Sequence, residues 1–128
     1  MRLLLDTHVL LWSVAASRRL PPDARDLLVD PRNTILYSAA SVWEIAIKRA
    51  LGRKDFRVDV AQLLQAAGDT GFIELPVTSA HAARVATLPD LHRDPFDRLL
   101  IAQILTESAV LITNDAQLGP YSGQVRVF

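Results

Sequence analysis

The chain contains no cysteine, so disulfides, thiolate metal sites and cysteine nucleophiles are excluded, and any metal must be held by oxygen or histidine. That absence also fits a reducing compartment. Net charge is missing too: 14 Lys plus Arg balance 14 Asp plus Glu, so no global field draws the chain to a polyanion, and binding to nucleic acid must be local. No apolar run approaches the roughly 20 residues needed to cross a bilayer, and the opening MRLLLDTH breaks at Asp6, too early for a signal-peptide core. A soluble, cytoplasmic protein with no membrane association is expected. The five glycines form no phosphate-cradling loop, which argues against nucleotide-triphosphate chemistry. Ser38 and Ser41 lack the setting of a nucleophile elbow, so a serine hydrolase is disfavoured.

What is present is aliphatic. With 128 residues and 50% hydrophobic content the chain is sized for a single compact domain over residues 1–128. Short apolar runs at Leu3–Leu5, Thr34–Tyr37, Phe72–Leu75, Val110–Thr113 and Val125–Phe128 read as five strands. Helical patterns fall between them: Val9–Ala16, Asp23–Asp30, a helix opened by Ser38 or Ser41 and stopped at Gly52, Asp59–Ala67 ending near Gly68, Thr78–Thr87, and Asp94 with Pro95 to Glu107. Strands alternating with helices predict a mainly parallel sheet covered on both faces.

Four acids stand at the ends of these elements. Asp6 follows the first strand and Asp115 the fourth, so one parallel sheet would place both at its carboxyl edge, where ligands bind in open α/β sheets. Each reads equally as a helix or turn cap. Glu44 lies three residues after Ser41, the spacing of a capping box, yet its angular position borders the stripe of Ala40, Trp43, Ile47 and Leu51, and Lys48 stands one turn on as a partner. Asp97 precedes Leu100, Ile101 and Ile104 at the spacing of an apolar face, and a carboxylate there costs several kcal/mol unless paired or metal-bound. Asp94, cap to the helix that Pro95 opens, is a second-choice ligand. Together the acids would converge at one rim of the sheet, and an oxygen-only cluster selects Mg²⁺ or Mn²⁺.

Other groups carry weaker signals. His8, His81 and His92 have no metal-ligand spacing among themselves; His8 is read as packed or at the surface, His81 as an ordinary helical residue and His92 as part of the loop before Asp94. Trp12 and Trp43 read as core or interface. Lys48, Arg49, Arg53, Lys54 and Arg57 fall within ten residues, with Arg18 and Arg19 as a second group, and each equally suits a solvated helix end.

The order LLLDTHVLLW, SVWEIAIK, DPFDRLLIAQ, LITNDAQL resembles the PIN-domain family, and within it the VapC-type toxins of bacterial toxin–antitoxin pairs, from Leu3 to Phe128. The resemblance implies a three-layer α/β/α sandwich around a central five-stranded sheet and a ribonuclease using Mg²⁺ or Mn²⁺. It matches the family's acidic quartet with Asp6, Glu44, Asp97 and Asp115, and a hydroxyl near the last acid with Thr113. It also implies a homodimer restrained by a small VapB-type antitoxin. His8 occupies a position that is often Asn. Asp6, Asp97 and Glu44 would hold the principal ion with Asp115 in support, and Thr113, Lys48, Arg93 and Arg98 are candidates for RNA contact. Rival readings are a non-catalytic module whose acids bind an ion or a partner's arginine, and an aspartate-nucleophile phosphatase using Asp6, disfavoured because His8 stands where such enzymes place a second acid.

Overall fold

The three leucines after Arg2 show no alternation because they are buried on both sides. A computed structural model describes residues 1–128, and in it strand β1 (Arg2–Leu5) lies at the centre of a five-stranded sheet of order β3-β2-β1-β4-β5. The others are β2 (Thr34–Ser38), β3 (Ile73–Leu75), β4 (Val110–Thr113) and β5 (Val125–Val127), and all four pairings are parallel. The sheet is thus wholly rather than mainly parallel, as expected when every crossover between strands is helical.

Helices cover both faces. Leu3, Leu5, Ile35, Tyr37 and Ile112 pack with Val9 and Leu10 of α1 (Thr7–Val14), Ala24 of α2 (Pro22–Val29), Ile45 of α3 (Ala39–Ala50) and Leu63 of α4 (Val60–Thr70). Leu4, Leu36, Leu75 and Leu111 pack on the other face with Leu100, Ile101 and Ile104 of α6 (Pro95–Glu107), against which α5 (Ser79–Val85) lies. Each Leu, Ile or Val side chain among these contributes about 2 kcal/mol through its removal from water. No helix is long and apolar enough to cross a membrane.

Boundaries differ where side chains compete for the backbone. Ser38, not Ser41, caps α3 by accepting from the Ala40 amide (3.0 Å). Helix α4 continues through Gly68 to Thr70 and stops at Gly71, whose φ of +90° is the left-handed conformation that glycine adopts without penalty. Two 3₁₀ turns, Lys54–Phe56 and Ala116–Tyr121, were not foreseen, being too short to carry a period.

Strand order decides where a ligand fits. The chain moves from β1 outward to β2 and β3, then returns across to β4 and β5, so the segments leaving adjacent β1 and β4 at their carboxyl ends head to opposite sides of the sheet. At such a switch point the connecting segments part and leave a crevice.

Candidate metal centre

Asp6 and Asp115 leave the sheet at that crevice. The Asp6 amide still donates to Ile112 of β4 (3.0 Å), while its carboxylate caps α1 by accepting from the Val9 amide (2.8 Å) and takes a second hydrogen bond from the Thr113 hydroxyl. Thr113 Oγ1 accepts in turn from the Asp115 amide (3.0 Å). One buried hydroxyl at the end of β4 thereby fixes both acids. Thr113 is fully buried, so it positions Asp6 rather than facing a substrate. Asp115 caps the 3₁₀ turn after β4 through the Gln117 amide (2.9 Å).

Glu44 does not serve the capping box that its spacing from Ser41 suggests. It lies in the second turn of α3, is 4% exposed, accepts from the Thr7 hydroxyl (2.5 Å) and pairs with Lys48 Nζ (2.5 Å). Ser41 is buried beside it, 3.1 Å from the Thr7 hydroxyl. The cap is not made, whereas the pair with Lys48 one turn on is, joined by a buried polar contact between α1 and α3.

Asp97 stands in the first turn of α6, one turn before buried Leu100 and Ile101. Asp94 caps this helix, accepting from the Phe96 and Asp97 amides (2.9 and 3.2 Å), as its position before Pro95 predicts. His92 Nε2 lies 2.9 Å from Asp97 Oδ2 and 3.8 Å from Asp115 Oδ2. In sequence His92 belongs only to the loop before Asp94. Its one signal was position, two residues before a helix cap and five before the inward acid.

The four acids meet. A cleft of about 230 Å³ is lined by Asp6, Glu44, Asp94, Asp97 and Asp115 with Thr7, His8, Lys48, His92 and Asn114, and no hydrophobic residue. A larger cavity of about 490 Å³ lies beyond His8, lined by Trp12, Arg19, Lys54 and Arg57 among others, and contains none of the acids. The acidic cleft is where chemistry is expected, because five carboxylates against one lysine cannot all be ionised there without cost. Burial, then the neighbouring Asp94, and more weakly Glu44 and Asp6, push Asp97 up to about 7 against the lowering effect of His92. Burial also raises Asp6, although the hydrogen bonds from Thr113 and Val9 oppose it. Carboxyl groups in this state take up either a proton or a cation, and a donor set of oxygens with one nearby imidazole fits a divalent ion such as Mg²⁺ or Mn²⁺.

The remaining candidates separate. Lys48 reaches the cleft, with Nζ 5.0 Å from the Phe56 ring centroid. Arg93 is exposed in the loop beside it. Arg98 turns away, its guanidinium donating to Pro89 O (2.9 Å), Val85 O (3.3 Å) and Tyr121 Oη (3.1 Å). His8 is partly exposed, with its ring 5.4 Å from that of Phe56. His81 is 1% exposed and forms a capping box with Thr78, so it is more deeply built in than an ordinary helical residue. Trp43 is 62% exposed and stands edge-on to Phe96, which rules out the core half of its expectation.

A family model described as the PIN domain matches residues 3–122. Among solved structures, the chain is similar to the VapBC2 complex of Rickettsia felis bound to a DNA fragment from its promoter, with a TM-score of 0.69 and 15% identity over 100% of this chain and 98% of that one. It is similar also to VapBC-1 of nontypeable Haemophilus influenzae (TM-score 0.67, 16% identity, 100% and 97% covered) and to a toxin–antitoxin complex of Klebsiella pneumoniae (0.63, 20%, 97% and 95%). At such identities the likeness is one of fold. No curated protein matches the chain.

Proposed function

The chain belongs to the PIN-domain family, and from that premise we propose that it is a divalent-metal-dependent endoribonuclease, the toxin of a toxin–antitoxin pair acting in the cytoplasm. The observation that carries the reading is the wholly polar cleft at the switch point between β1 and β4, lined by Asp6, Glu44, Asp97 and Asp115. These four residues would hold the ion, Mg²⁺ or Mn²⁺, with Asp6, Asp97 and Glu44 as principal ligands and Asp115 in support. When bound, the cation supplies an acidified water and a counter-charge to the phosphoryl oxygens during in-line attack.

The chain's own residues prepare that reaction. Thr113 and the Val9 amide orient Asp6, and Thr7 orients Glu44, so two ligands are held before any substrate arrives. Lys48 offers an ammonium at the cleft, and Arg93 adds positive charge from the adjoining loop, a local neutralisation of RNA phosphates by a chain with no net charge. Arg98, engaged by the loop it holds, is withdrawn from this role.

The likeness to VapBC and other toxin–antitoxin complexes supports an antitoxin as partner; that the toxin is a homodimer is part of the same proposal. Purified protein incubated with RNA tests the activity. Cleavage is expected with Mg²⁺ or Mn²⁺ and not in EDTA, and is expected to fall to background in Asp6→Asn and Asp97→Asn. Cleavage surviving in EDTA or in both variants contradicts the mechanism; metal binding without cleavage favours a non-catalytic module.

A further inference from the structure

The loop over residues 86–94 carries His92 into the cleft, and it is strapped from two sides. Arg98 of α6 donates to Pro89 O (2.9 Å) and Val85 O (3.3 Å) at the loop's entrance and reaches His92 O (3.5 Å). Tyr121, itself bonded to Arg98, donates to the same His92 carbonyl (3.4 Å). A guanidinium presents its donors in a rigid fork, so these acceptors fix the loop's course and the place of the His92 backbone.

The imidazole is thereby delivered beside two of the acids. His92 Nε2, an Asp97 oxygen and an Asp115 oxygen all lie within 4.8 Å of one another, with Nε2 2.9 Å from Asp97 Oδ2 and 3.8 Å from Asp115 Oδ2. Around a six-coordinate ion with bonds of about 2.1 Å, adjacent donors stand about 3 Å apart and opposite donors about 4.2 Å. The Nε2–Asp97 distance already suits adjacent donors, and the Nε2–Asp115 distance falls between the two spacings, so small side-chain rotations bring all three onto one ion. Asp6 and Glu44 lie outside this tight group, and both oxygens of each are engaged by protein donors: Val9 and Thr113 for Asp6, Thr7 and Lys48 for Glu44.

We propose that His92 is a nitrogen ligand of the cation site, forming with Asp97 and Asp115 a mixed nitrogen and oxygen set that favours Mn²⁺ over Mg²⁺. The inference rests on the cation reading of the cleft and changes its donor chemistry. Imidazole suits transition ions, whereas Mg²⁺ takes oxygen and retains water. Ligation by Nε2 requires the tautomer with its proton on Nδ1, so the contact of Nε2 with Asp97 belongs to the metal-free protein.

Pulsed electron paramagnetic resonance of the whole protein loaded with Mn²⁺, without RNA, reads a bound nitrogen through its hyperfine coupling, and calorimetric titration with Mn²⁺ and Mg²⁺ reads the two affinities. Coupling is expected in the wild type, retained in His8→Gln, the other histidine lining the cleft, and lost in His92→Gln. Mn²⁺ affinity is expected to fall at least about tenfold in His92→Gln, with a smaller loss for Mg²⁺. Mn²⁺ binding without nitrogen coupling, or coupling that survives in His92→Gln, overturns the ligand role and leaves the carboxylate site standing. Absence of binding by either ion overturns the cation reading together with it. Should His92→Gln fail to fold, the wild-type and His8→Gln spectra still decide, since coupling absent from the first or lost in the second removes His92 from the site.

Discussion

A carboxyl group that burial and three acidic neighbours push up to about 7 is waiting for a positive charge, and Asp97 is that group. The sign of its effect follows from linkage. Its unfolded value is 3.8, so the folded chain holds the proton more tightly, and Asp97 favours folding below about pH 4 and loses that contribution as pH rises toward 7. Asp6, raised in the same direction, adds to the trend. The metal-free protein is therefore expected to melt at lower temperature as pH rises from 4 to 7.5. Mg²⁺ or Mn²⁺ affinity should rise over the upper part of that range, because the ion must displace the proton. Asp97→Asn should raise the melting temperature of the metal-free protein at pH 8 while abolishing the further rise produced by Mn²⁺. Thermal scans across pH, with and without the ion, check both; a variant less stable than the wild type at pH 8 would count against electrostatic strain in the cleft.

Residues were legible in the sequence to unequal degrees. Asp97 was marked by a charge at the head of an apolar stripe, and Asp6 and Asp115 by following strands. Glu44 was the least visible from spacing, because its apparent capping box with Ser41 points to a contact that the chain does not make. Its partners, Thr7 and Lys48, come from α1 and from the next turn of α3. His92 had position as its one signal, because its place in the cleft depends on a loop path set by Arg98 and Tyr121, and no periodicity encodes a loop.

At the scale of elements, strands and long helices were readable because burial on both sheet faces demands unbroken apolar runs and helices demand a period. The ends were less so, since Ser38 and Gly71 compete with near equivalents, Ser41 and Gly68, and only three-dimensional packing chooses between them. Helix α6 shows how one element serves stability and site together. Asp94 caps it, and Asp97, one turn in, faces the cleft. Asn caps a helix about as well as Asp, whereas Ala costs about 1 kcal/mol. Asp94→Asn is thus expected to preserve stability and to leave Mn²⁺ affinity within a few-fold of wild type, with Asp94→Ala losing stability. Calorimetry and denaturant titration would separate the roles, and a collapse of Mn²⁺ affinity in Asp94→Asn would make Asp94 a ligand rather than a cap.

The whole molecule has zero formal charge yet separates its charges. Five acids gather in the cleft, whereas Arg49, Arg53 and Arg57 line a hollow after α3, and Lys54, Arg57 and Arg19 line the large cavity beyond His8, with Asp55 as its one acid. Composition alone could not show this, because a sum of charges holds no information on where the fold puts them. The topology could be anticipated, since β1 and β4 each end in an acid and a parallel sheet sends both to one edge. Only the strand order β3-β2-β1-β4-β5 makes those two ends neighbours at the point where the chain reverses direction across the sheet.

A metal site at this edge would reveal itself in crystals soaked in Mn²⁺, through anomalous scattering at the manganese edge. A peak is expected inside the cleft, bonded to a carboxylate oxygen of Asp97 and to at least one of Asp6, Glu44 and Asp115. Crystals that show no peak there, with the contacts of Asp97 to His92 and of Glu44 to Lys48 unchanged, would contradict the metal site.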